Sequence, residues 1–184
     1  MDDFFQHYVR EVSAKSAQIE FDPDILLWAV GVEMADNAIT DFRCEKHLDP
    51  KRYFPVRWNS PTRAIFFGFD ESAHWKRWEA ILQYSVSRAT ELTSQNKTAC
   101  MIFLRTPEQP PVPNESWQSL VPQFAAARRV FRVHTLTSAR VRQLYAAYEL
   151  YANVIEGNAP FPREEMLTFV REQLRPWWKE LLAE

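Results

Sequence analysis

The run Arg63-Ala-Ile-Phe-Phe-Gly-Phe-Asp70 decides the fold. It is short, apolar and aromatic, and acidic residues close it, so it reads as a mostly buried strand. Helical spacing follows at once. Between His74 and Leu92 the residues Trp75, Trp78, Leu82, Val86, Ala89 and Leu92 fall on one stripe, with Lys76, Arg77, Gln83, Ser87 and Glu91 elsewhere on the cylinder. A second strand is expected from Thr98 to Leu104, beyond the polar break Thr93–Lys97. Then Trp117, Leu120, Val121, Phe124 and Ala125 again recur at helical spacing before a third strand, Val130 to Leu136. Strands separated by helices have room for crossover connections, so residues 63–138 are expected to form a βαβαβ core.

Outward from this core the sequence predicts an α/β fold: a single three-layer domain over 1–184, with a central mixed, largely parallel sheet of three to five strands flanked by helices. Residues 139–184 read as C-terminal helices. Thr137 and Ser138 cap a long helix with Val141, Leu144, Tyr145, Tyr148, Ala152 and Ile155 on its stripe, and Gly157-Asn158 ends it. A last helix opens with Glu164 and Glu165, and Pro176 is expected to interrupt it before Trp177 and Trp178.

The N-terminal part, 1–62, holds a helix from Phe4 to Ile19 followed by an ambiguous stretch. Asp22-Pro23-Asp24 suits the start of a second helix. Against it, Trp28, Val30, Val32 and Met34 alternate with small or polar residues, and Asp36-Asn37 suits a turn into a strand ending at Phe42. Gly31 disfavours a helix interior by about 1 kcal/mol, which tips the balance to the hairpin. Glu45 to Pro61 reads as a polar connection.

Only three glycines argue against phosphate-cradling Gly-rich loops. A net charge of -2 gives no general attraction to nucleic acid or anionic membrane. Cys44 and Cys100 lie in strand-like segments without metal spacing and read as reduced core residues. With no long apolar run and an acidic start, the expected location is the cytoplasm, with no membrane contact. His7, His47, His74 and His134 are too scattered for a metal site, so neither metal nor cofactor is expected.

Three sets of residues carry functional candidates. In open parallel sheets ligands sit at the carboxyl ends of strands where strand order reverses. That rule selects Asp70 and Glu71, Arg105 and Thr106, and Thr137, Ser138 and Arg140, a set suited to a small phosphorylated ligand. Lys51, Arg52, Tyr53, Arg57 and Trp58 interleave cations with aromatics, as a nucleic-acid surface does, against the preferred alternative of a loop whose aromatics anchor it to the core and whose charges are solvated. Trp177 and Trp178 either close the core or meet a partner.

With the hairpin, residues 4–105 read helix, strand, strand, strand, helix, strand, an order that resembles the core of restriction-endonuclease-like folds in layout. Such folds imply an acid on the second strand and acid-x-Lys on the third, holding Mg²⁺ or Mn²⁺ against a phosphate. Asp41, with Glu11 assisting, would be the first acid. The third strand reads Phe66-Phe67-Gly68-Phe69 and lacks the motif, while Asp49-Pro50-Lys51 has the letters in a loop. The layout thus implies the shape without the cleavage chemistry. The resulting expectation is a non-catalytic accessory protein that binds another protein, a second copy of itself or a nucleic acid. Its rivals are a metal-dependent nuclease or phosphodiesterase using Asp41, Asp70 or Glu71, and a sensor of a phosphorylated ligand.

Overall fold

The run 63–69 becomes the middle strand of a five-stranded sheet in the computed structural model, which describes residues 1–15, 22–31, 42–46, 51–69, 74–113 and 119–183. The strands are β1 (Arg43–Lys46), β2 (Val56–Asn59), β3 (Arg63–Phe69), β4 (Thr98–Arg105) and β5 (Phe131–Thr135), and they lie side by side in chain order. The helices are α1 (Asp2–Lys15), α2 (Pro23–Ala29), α3 (Trp75–Ser94), α4 (Val121–Ala127), α5 (Ser138–Ile155) and α6 (Arg163–Ala183). Two compact units result: 41–136 holds the whole sheet with α3 and α4, and 1–40 with 137–184 holds the other four helices.

In the sheet unit Ile65, Phe66 and Phe67 of β3 are all fully buried, so consecutive residues are covered on opposite faces. That is why the strand reads as a continuous apolar run. Ile65 pairs with Cys100 of β4 in parallel, and Phe103 of β4 with Val133 of β5, also in parallel. Each parallel step needs a crossover, and α3 and α4 supply them. Both pack on one face, where Trp78, Ile81 and Leu82 of α3 and Leu120 and Ala127 beside or within α4 join Phe54, Phe66, Phe103 and Phe131 in a single apolar cluster.

The expected largely parallel sheet is instead mixed in equal parts, because β1, β2 and β3 form an antiparallel meander. Val56–Asn59 is a strand where a polar connection is expected. Its Val56 and Trp58 are buried while Arg57 and Asn59 are half-buried, the period-two signature, but Pro55 and Pro61 flank it and four residues are too few to show it. Ser60 and Arg63 close the tight turn, with Ser60 N–H donating to the Arg63 carbonyl at 2.8 Å.

In the helical unit, the hairpin expected from Trp28 is corrected at its start. Asp22 accepts from the Asp24 N–H at 2.9 Å and caps α2, with proline in the first turn. The helix ends at Ala29, so Gly31 lies beyond its last turn and its cost to a helix interior never arises. The rest of the expected hairpin, 32–41, lies outside the described residues, as do 16–19 of the expected first helix and Asn114 and Trp117. The expected break at Pro176 is absent: α6 runs on to Ala183. An interior proline costs about 3 kcal/mol, and burial of Trp177, Trp178 and Leu181 on the same stripe as Val170 and Leu174 offsets it. Trp178 Nε1 donates to the Ala29 carbonyl at 3.0 Å, and the Tyr145 hydroxyl accepts from the Asp22 N–H at 2.6 Å, which ties α2 to α6 and α5. Among the described residues no helix is long and apolar enough to cross a membrane.

Gly68 lets the loop before β2 approach the sheet. A Cβ there would overlap the Tyr53 carbonyl oxygen and stand 2.9 Å from Phe103 Cε2. Gly68→Ala is therefore expected to cost about 3 kcal/mol or more, since backbone must shift to admit it, and the midpoint of urea unfolding should fall accordingly.

Candidate functional site

Because β3, β4 and β5 are parallel neighbours, Phe69, Arg105 and Thr135 end their strands at one rim. The strand order, however, never reverses, and both crossovers lie on one face. Adjacent helices on opposite faces are what opens a crevice in such sheets, so the described strands open none of that kind. Asp70 and Glu71, together with Asp41, lie outside the described residues.

Arg105 is 3% exposed. Its Nη2 donates to the Pro110 carbonyl, and its guanidinium carbon lies 5.5 Å from the Trp78 ring centroid. Its backbone carbonyl accepts from Leu136 N–H at 2.8 Å. Thr106, equally buried, opens a turn with Pro107 at its second position: Gln109 N–H donates to the Thr106 carbonyl at 3.3 Å, and the Gln109 side-chain oxygen accepts from Thr106 N–H at 3.1 Å. These contacts make Arg105 the fastening of the proline-rich crossover to the end of β4.

Thr137, Ser138 and Arg140 belong to the helical unit. The Thr137 hydroxyl accepts from Arg140 N–H at 3.2 Å, an N-cap for α5. The Arg140 guanidinium reaches Gln143 Oε1 at 2.9 Å and Glu180 Oε1 at 3.4 Å. In the same unit the Tyr8 phenol is pushed above its ordinary pKa by burial first, then by the carboxylates of Glu149 and Glu11. Trp177 and Trp178 are buried in the core.

The basic and aromatic stretch divides by exposure. Lys51 and Arg52 are exposed, while Tyr53 and Phe54 are buried and Trp58 fully so, leaving no open ring face for a base to stack on. Arg57 faces Glu45 across β1 and β2 and donates to its Oε2. That hydrogen bond is the main reason the Glu45 carboxyl lies below its usual range. The helix α3 adds what sequence reasoning passed over. Arg77 carries its guanidinium carbon 5.0 Å from the Tyr53 ring centroid, so exposed Lys76 and Arg77 stand beside exposed Lys51 and Arg52. The overlooked signal was two cations and no acid in a helix's first turn.

Charge is segregated along the chain. Residues 41–136 contain fourteen Lys and Arg against nine Asp and Glu, a formal +5, whereas the helical unit contains eight against fifteen, a formal -7. Among the described residues no group of three His, Cys, Asp or Glu could hold a metal ion together. Cys44 and Cys100 are not joined in a disulfide and are half-buried.

Arg105→Ala is expected to destabilise by about 2–4 kcal/mol, since the buried turn loses its donor, whereas Arg140→Ala should stay within about 1 kcal/mol, as exposed ion pairs do. Chemical unfolding of the two variants separates these outcomes. The Glu45 pair adds stability that is complete above the carboxyl's unfolded-state pKa and disappears as pH falls through its lower folded-state value. Glu45→Gln should therefore cost up to about 1 kcal/mol at neutral pH and nothing in acid below that window, read from unfolding curves across pH.

Comparison with protein-family models, with curated proteins and with solved structures gives no match, so the functional argument stands on the chain's own residues.

Proposed function

We propose that this protein acts by binding, as an accessory protein whose sheet unit takes the sugar–phosphate backbone of a nucleic acid. The observation that carries the reading is the segregated charge, +5 over 41–136 within a chain of net charge -2. A cationic domain gains affinity for a polyanion by releasing condensed counterions, whatever the charge elsewhere in the chain. With the aromatics of 53–58 buried, recognition rests on phosphate and is indifferent to base sequence.

The layout supports the same reading by analogy alone: helices, three strands, a helix and a fourth strand run over 2–105. In it β2 and β3 carry neither an acid nor an acid-x-Lys, so no cleavage step is drawn from them. A reducing, cytoplasmic setting is part of the proposal, supported by two cysteines that are half-buried and not joined in a disulfide.

Fluorescence anisotropy with labelled duplex DNA, single-stranded DNA and RNA tests the proposal. Binding is expected for all three, weakening by a factor on the order of 100 or more between about 50 and 200 mM salt, with strands left intact in Mg²⁺ or Mn²⁺. Absence of binding at the lower salt would overturn the reading, and cleavage would move the protein to the metal-dependent enzymes.

A further inference from the structure

Resting on that reading, we infer that the backbone is taken at one place on the sheet unit, where the loop 51–53 meets the start of α3, with Lys51, Arg52, Lys76 and Arg77 as the phosphate contacts. The two pairs are far apart in sequence and exposed, and the contact between Arg77 and Tyr53 brings them together. Beneath them lies a floor of packed aromatic rings. The buried Tyr53 ring meets Tyr84 edge-on at 5.7 Å, and Tyr84 stacks on Phe54 at 5.9 Å with 19° between planes.

Two local choices here oppose the stability of the fold. Arg52 holds a left-handed backbone with φ 55°, which a residue with a Cβ adopts at a cost. Lys76 and Arg77 occupy the first turn of a 20-residue helix, where the amide ends are already partly positive and acids are the stabilising residues. The cations of the first turn raise the positive potential beside Arg52. Cations placed against the helix dipole and beside a strained residue are what a polyanion contact requires and what a merely solvated surface does not.

The test uses the full chain, a labelled duplex and anionic phosphatidylserine vesicles as a competing source of phosphate. The triple variant Lys51→Ala/Arg52→Ala/Lys76→Ala keeps Arg77 on Tyr53, and controls remove the exposed pairs Arg43/Lys46 and Arg128/Arg129. At fixed salt the triple variant is expected to bind on the order of 10–100-fold more weakly and to flatten the slope of log affinity against log salt by about 2 to 3, while each control stays within about threefold. Should the triple variant melt well below the wild type, Lys51→Ala and Lys76→Ala alone should each flatten the slope by about 0.9. Equal losses in the controls, or an unchanged slope in the cluster variants, would overturn this location while leaving nucleic-acid binding in place. A wild-type chain that binds no duplex refutes the underlying reading, and capture by the vesicles alone refutes both.

Discussion

Burial of β3 on both faces is the constraint from which the rest follows. A strand with no solvent side must find backbone partners on both edges, or leave N–H and C=O groups unpaired at a cost of about 1–3 kcal/mol each. Its two edges are satisfied differently. The β2 side is reached by a tight turn at 60–63 and is therefore antiparallel, whereas the β4 side is reached over the length of α3 and is parallel. The mixed character of the sheet is thus a consequence of two connection lengths.

The same constraint explains where polar chemistry is absent. A strand that buries Ala64 through Gly68 has no room for carboxylates, and the carboxyl end of its neighbour β4 is sealed by Arg105 folding back on the proline-rich turn. A guanidinium is well suited to that task. It remains charged, stacks on the indole of Trp78 and gives the Pro110 carbonyl a charge-assisted donor. Exposed cations lie instead at the rim of the loops, where Arg77 packs over the ring of Tyr53.

How much of this was legible depends on how many residues carry each signal. The runs that became β3, β4 and β5 and the stripes of α3 and α5 span many positions, and their period is visible. β2 has four residues between prolines, too few for any period, and α2 was obscured by a glycine that falls just past its end. The candidate residues divide along another line. Arg105 and Trp58 could be flagged by type and place, but whether a side chain is swallowed by its own loop is a tertiary fact. Conversely, Lys76 and Arg77 were readable as a first turn of the wrong sign, a local rule broken without local gain.

The placement of one unit within the chain of the other has a consequence for synthesis. Residues 41–136 are contiguous, so the sheet can assemble as soon as β5 leaves the ribosome. The helices α1 and α2 have no such option. Phe5 of α1 meets Phe169 of α6, and Ala29 at the end of α2 accepts from Trp178, so the two helices find part of their packing on α5, through contacts such as Tyr145 with Asp22 and Tyr148 with Trp28, and complete it only once α6 has been made. Nascent chains stalled before α6 would therefore display a finished sheet and a sticky, unfinished helical remainder, the species a holdase chaperone would meet.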